Sequence, residues 1–137
     1  MSLIKLINFK VLGDDRGGLV SLESPINIPF KINRTYYIYG TKQGVSRGFH
    51  AHKELQQVAI CISGSCRFLL DDGITQSEVT LSDPAQGLFI DKMQWREMHD
   101  FSEDCVLLVL ASHIYDEADY IREYDHFIGE LNVNIKI

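Results

Sequence analysis

Between Ile4 and Ser112 the chain repeatedly starts and stops a short β-type run, and this constrains the fold more than any other feature. The runs are Ile4–Phe9, Gly18–Glu23, Arg34–Tyr39, Gln57–Ser63, Ser65–Leu70, Ile74–Leu81, Gly87–Ile90 and Cys105–Ser112, with turn signals between them. Asp71-Asp72-Gly73 separates Cys66–Leu70 from the alternating Gln76–Leu81 and predicts a hairpin, and Gly64 marks a second tight turn. Only the tail changes period. From about Asp116 the apolar residues Ala118, Ile121, Tyr124, Ile128 and Leu131 fall three or four apart, which predicts one C-terminal helix of about three turns. The pattern is that of an all-β sandwich or barrel closed by a short helix.

With 137 residues, 45% of them hydrophobic, the chain has material for one core and no room for a second domain, so residues 1–137 read as a single unit. The longest uncharged apolar run, Val106–Ser112, is far short of the roughly 20 residues that cross a bilayer, and no signal-peptide core is visible. A cytoplasmic location with no membrane partner is the expectation. Thirteen Lys and Arg against nineteen Asp and Glu give a net charge of −6, which argues against a nucleic-acid partner and leaves local arginine clusters for a small anionic ligand. Cys61, Cys66 and Cys105 are odd in number, form no CxxC and sit in apolar runs, so they read as reduced, buried small hydrophobes.

The most informative segment for chemistry is Gly44-Val45-Ser46-Arg47-Gly48-Phe49-His50-Ala51-His52-Lys53. In an extended strand the period of two puts His50 and His52 on one face, with β-carbons about 7 Å apart. Together with Gln57 and Gly64 the spacing resembles the first motif of the cupins, in which two histidines, an acidic residue at the place of Gln57 and a later histidine bind a divalent metal. Here the acid is an amide, and the later slot is filled by Arg96, whose guanidinium stays charged and cannot be a ligand. Two histidines and an amide make a poor metal site, so no metal and no cofactor is expected, although His99 offers an alternative third nitrogen. Neutral imidazoles on a rigid strand suit proton transfer at a carbon made acidic by a neighbouring ketone.

Cationic and hydroxylic partners for an enediolate are at hand. Arg47 precedes His50 by three residues, which places it at a pocket mouth or on a substrate phosphate rather than beside the imidazole, unless Gly48 distorts the strand. Arg34 and Tyr36 share one strand face and Tyr37 takes the other; one of the two tyrosines is expected to face the interior, where a phenol can donate to a carbonyl or pass a proton. Arg16 precedes the flexible Gly17-Gly18 turn and can swing over a cavity. In Trp95–Phe101 the residues Trp95, Glu97 and His99 share one face and Arg96 and Met98 the other, with Arg96 favoured as the inward residue.

Asp15-Arg16-Gly17, Tyr36-Tyr37-Ile38, Arg47–Lys53, Leu70–Gly73, Trp95–Ser102 and Asp116–Arg122 together resemble the dTDP-4-dehydro-6-deoxyglucose 3,4-ketoisomerases over nearly the whole chain. The resemblance implies a jelly-roll cupin β-barrel that works without metal and converts dTDP-4-dehydro-6-deoxyglucose to a 3-dehydro-6-deoxyhexose, galacto or gluco at C4, for amination at C3 and use in surface polysaccharides. It implies His50 as the base at C3, His52 and Tyr36 as proton carriers, Arg47 on the phosphates, Arg16 and Arg96 in the sugar pocket, and Tyr37 as a further binding residue. It also implies a homodimer formed through an N-terminal strand bearing Ile4, Leu6 and Phe9. A 3,5-epimerase of the same substrate and a non-catalytic sugar-binding cupin are the alternatives.

Overall fold

A computed structural model describes residues 1–135. Its strands are β1 (Lys5–Asn8), β2 (Leu12–Asp14), β3 (Gly17–Leu19), β4 (Arg34–Tyr39), β5 (Arg47–His52), β6 (Gln57–Ser63), β7 (Cys66–Asp71), β8 (Gln76–Leu81), β9 (Gln86–Ile90), β10 (Trp95–His99), β11 (Val106–Ala111) and β12 (Tyr120–Ile121), followed by helix α1 (Tyr124–Ile135). Two five-stranded sheets form, ordered β1-β9-β6-β11-β4 and β12-β5-β10-β7-β8, with β2 and β3 as a separate hairpin. All pairings are antiparallel. The expected jelly roll is present, and its two sheets pack as a sandwich rather than closing on each other, with β1 and β4 at the edges of one and β12 and β8 at the edges of the other.

Burial explains the strand sequences. On β6, Ala59 and Cys61 point into the inter-sheet core with Phe68, Leu70, Leu88 and Leu107, while Val58 and Ile60 point outward under Phe9, Ile28 and Phe30. A strand covered on both faces reads as a continuous apolar run rather than an alternation. The covering segment includes Val20 and Leu22, which were expected in a strand but only pack on this cluster, since pairing stops at Leu19. The hairpin at Asp71–Gly73 joins β7 to β8, and Gly73 takes φ 91°, a left-handed conformation suited to glycine.

The tail departs from the expected helix. Asp116 accepts from the Ala118 N–H and caps a single 3₁₀ turn, Glu117–Asp119; β12 then pairs with β5, and α1 starts only at Tyr124. Ile121 serves a strand and Phe127 the helix, both fully buried with Ala51 and Trp95 against the outer face of the second sheet. Two unrelated elements thus share what looked like one period. Among the described residues no helix is long and apolar enough to cross a membrane.

Candidate active site

At one end of the sandwich a cavity of about 480 Å³ is lined by residues of β4, β5, β10 and the β12 segment, among them Arg34, Tyr36, Arg47, His50, Tyr120 and Arg122. Strand β5 supplies its centre. His50 lies opposite Arg96 and Arg47 opposite Met98, while Gly48 faces Glu97 and Phe49 is left over, so β5 carries a one-residue bulge. Both bulge residues are left-handed, Gly48 at φ 91° and Phe49 at φ 57°. The extra residue cancels the odd spacing: Arg47 and His50, which a regular strand would put on opposite faces, line the same cavity. Gly48 is required there, since a β-carbon would stand 3.0 Å from the Arg96 carbonyl oxygen.

His50 Nδ1 lies 3.1 Å from the Gly48 carbonyl oxygen, which can only accept. The ring proton therefore sits on Nδ1 and the basic lone pair on Nε2. Burial first, and then the Arg96 guanidinium, lowers the pKa of His50 to about 4, so the imidazole is neutral at pH 7. The ring of His52 packs edge-on to it at 4.9 Å and is fully buried, with its pKa pushed down to about 2 by the same burial and charge. Its Nδ1 comes within 3.3 Å of Asp119, without the alignment of a hydrogen bond, and both ring nitrogens lack a hydrogen-bond partner among the described residues.

Beneath the histidines, Arg96 donates to the Gln57 side-chain oxygen at 2.5 Å and to the Gln94 carbonyl at 3.0 Å, and Gln57 in turn donates to the Tyr36 hydroxyl at 3.1 Å. Burial pulls the Arg96 pKa down to about 10, still cationic at neutral pH, and raises that of Tyr36, which stays protonated. This donor set does not fit a divalent cation, because the positions next to the two histidines hold a guanidinium and an amide already bonded to it. His99 lies on the opposite face of β10, bonded to Glu97 and Ser46, and brings no nitrogen to the histidine pair.

Tyr36 turns inward and Tyr37 stands 64% exposed at the rim of the same cavity. The Arg34 guanidinium lies 4.7 Å above the Tyr36 ring. Arg16 is elsewhere: it sits in the β2–β3 turn, its side chain 87% exposed and paired with Asp14, and does not border the cavity.

Sequence reasoning gave no individual role to Tyr120, Arg122 and Asp119. Tyr120 packs at 4.3 Å from His52 and 5.1 Å from His50, Arg122 stacks on it at 4.2 Å and is held by Glu117, and Asp119 accepts from the backbone N–H groups of Glu54 and Leu55. Reading the tail as one helix hid them. The signal that could have found them is the Tyr120-Ile121-Arg122 alternation, with one buried apolar residue between two polar-tipped ones.

A jelly-roll sandwich whose paired histidines point inward, neutral and backed by a buried arginine, defines a cupin-type protein. Residues 2–132 match the family described as "FdtA: WxcM-like, C-terminal". A TDP-4-oxo-6-deoxy-alpha-D-glucose-3,4-oxoisomerase of Aneurinibacillus thermoaerophilus is 58% identical over 94% of this chain and 95% of its own. Among solved structures, a 3,4-ketoisomerase from Helicobacter canadensis is 49% identical and superimposes with TM-score 0.92 over 96% of this chain and 99% of that one. A histidine-to-asparagine mutant of the 3,4-ketoisomerase QdtA from Thermoanaerobacterium thermosaccharolyticum, solved in complex with TDP-4-keto-6-deoxyglucose, is 46% identical with TM-score 0.92 over 98% of this chain and 97% of that one. The chain belongs to the FdtA, WxcM-like family, and it is an isomerase.

Proposed function

We propose that this chain converts dTDP-4-dehydro-6-deoxyglucose to the 3-dehydro isomer, with His50 as the base. The observation that carries the reading is the neutral His50, its Nδ1–H tied to Gly48 and its Nε2 left basic, on the wall of a cavity that also presents Tyr36 and Arg47. The names of the Aneurinibacillus and Thermoanaerobacterium relatives support the substrate.

In this reading His50 Nε2 takes the C3 proton, whose acidity comes from the C4 ketone, and the electron pair moves to O4. The protonated Tyr36 phenol delivers a proton to O4, giving an enediol. The O3 proton returns to the Tyr36 phenolate and the protonated His50 gives its proton to C4, which restores both groups and completes the exchange with no net gain or loss of electrons. His52 and Tyr36 are the carriers between the oxygens, and the buried cation of Arg96 stabilises the negative charge that develops on them. Arg47 and Arg34 hold the diphosphate through charge-assisted bonds, with Tyr37 against the ligand at the rim. The product is a ketone at C3, the substrate class an aminotransferase requires for a 3-amino sugar.

A homodimer belongs to the same reading. β1 pairs with β9 of its own chain and Phe9 is buried, while Leu6 stays exposed, and Val11, Leu12 and Leu19 add exposed apolar surface on and beside the hairpin. A second copy covering that hairpin would meet Arg16, which is how this residue would reach a sugar pocket. The odd number of cysteines, each buried in apolar surroundings, supports the reducing cytoplasm as the location.

Proton NMR of dTDP-4-dehydro-6-deoxyglucose with the enzyme in deuterated water tests the reaction. The expected result is a 3-keto product with hydrogen or deuterium at C4, whose coupling constants give galacto or gluco. Deuterium at C3 and C5 with the C4 ketone retained would make it an epimerase. With His50→Asn, turnover falls about 10²- to 10⁴-fold while binding of dTDP is kept; unchanged turnover removes His50 as the base.

A further inference from the structure

On the outer face of the second sheet a hydrogen-bonded chain runs from the C-terminal helix to the cavity mouth. The Trp95 indole N–H donates to Glu97 Oε2 at 3.0 Å, and Glu97 Oε1 lies 2.9 Å from His99 Nε2. A carboxylate only accepts here, so His99 Nε2 carries a proton, and Nδ1 is hydrogen-bonded to the Ser46 hydroxyl, 2.7 Å away. Trp95 is itself wedged edge-on against Tyr124 at 5.4 Å and tilted against Phe127 at 6.0 Å. The chain therefore starts on a fixed, buried anchor and ends on an exposed loop residue. Ser46 directly precedes Arg47, and the ring of Phe49, the left-handed bulge residue, rests edge-on on His99 at 5.8 Å. His99 thus touches Ser46, the residue before Arg47, and Phe49, the second residue of the bulge that turns Arg47 into the cavity.

A left-handed phenylalanine is a strained conformation that persists only where its surroundings hold it. Nothing in the ladder between β5 and β10 does so, because Phe49 has no partner on β10. On the outer face, His99 contacts this segment twice, through the Ser46 hydroxyl and the Phe49 ring.

We propose that His99 is a positioning residue for substrate binding: through Ser46 and Phe49 it holds the bulged β5 segment so that Arg47 faces the ligand diphosphate, without itself touching substrate. This rests on the ketoisomerase reading and on the role of Arg47 within it. A residue acting this way changes binding far more than the chemical step, since His50 is held from the other side by the Arg96 pairing.

The experiment is a double-mutant cycle between His99→Ala and Arg47→Ala, read as KM and kcat for dTDP-4-dehydro-6-deoxyglucose and as Kd for dTDP by calorimetry. His99→Ala should raise KM and the dTDP Kd by about five- to tenfold, the range of one net hydrogen bond, with kcat changed less than about twofold. In the Arg47→Ala background the same substitution should add nothing, and His99→Gln, which keeps a hydrogen-bonding group toward Ser46, should recover most of the affinity. An equal further loss on top of Arg47→Ala, or a drop confined to kcat, overturns the proposal. If His99→Ala does not fold, Ser46→Ala removes only the last link from an exposed loop; unchanged Kd in that variant also overturns it. Absence of turnover by the unsubstituted enzyme would instead reject the ketoisomerase reading, and the dTDP titrations would still decide the role of His99.

Discussion

Arg96 donates to the Gln57 side-chain oxygen at 2.5 Å, both side chains buried, directly beneath the paired imidazoles of β5. That contact puts a cation and an amide where a metal-binding cupin would keep a histidine and an acid. A positive charge in this position does two things. It adds to burial in keeping His50 and His52 neutral, with a free lone pair, and it faces the site where an enediolate would carry negative charge.

Restoring the donors should restore metal affinity. The Gln57→Glu/Arg96→His double variant removes the guanidinium and supplies four donors, and elemental analysis after dialysis against zinc should find about one ion per chain, against a trace in the unsubstituted protein. Equal, negligible zinc in both would mean that the histidines cannot converge on an ion.

The pH dependence follows from the histidine shifts. With His50 lowered to about 4 in the fold against an ordinary 6.5, the unfolded chain binds a proton between these values that the folded chain does not. Stability is therefore fully present above pH 6.5 and falls as pH drops toward 4, by about 1.4 kcal/mol per pH unit for each such histidine. His52, lowered to about 2, extends the loss to lower pH. Denaturant titrations at pH 7.5, 6 and 5 measure this. The acidic limb of kcat/KM should likewise lie well below 6.5, and Arg96→Gln should move it upward; a limb that stays in place would show that the guanidinium does not set the histidine pKa.

Tyr36→Phe removes the proton carrier and the acceptor for the Gln57 amide N–H. We expect kcat to fall by roughly 10²-fold, with a stability cost of about 1–3 kcal/mol from the unpaired donor. A kcat within twofold of the parent would move the shuttle to His52 or Tyr120.

Gly48→Ala should be costly despite its size. The β-carbon would meet the Arg96 carbonyl oxygen at 3.0 Å and the Glu97 Cα at 3.3 Å, on a backbone at φ 91°. A loss of about 1–3 kcal/mol in thermal unfolding is expected, with a raised KM as the bulge shifts Arg47. A fully stable, fully active variant would mean that the bulge can be relieved without moving the site.

What could be seen in the sequence was what local chemistry dictates. The alternation of Gln76–Leu81, the Asp71–Gly73 turn and the doubly covered run of β6 are signalled by neighbours a few residues away, and each lies where it was expected. The inward pairing of His50 with His52 follows from a period of two, and the facing of Arg96 from the cupin-like spacing. The convergence of Tyr120 and Arg122 on the same cavity was hidden, because a short strand and a helix start can share one hydrophobic period.

The order of residues by itself determined the all-β class and a strand with His50 and His52 on one face, since these depend on residue types and short spacings, and the resemblance to cupins marked Gln57 and Arg96 as standing where metal donors would be. Tertiary structure alone decided that Arg47 shares a face with His50, that Tyr120 roofs the histidines and that Arg16 stays off the cavity. A bulge is a mismatch between two strands and a sheet edge is an arrangement of several, so neither exists until distant segments pair.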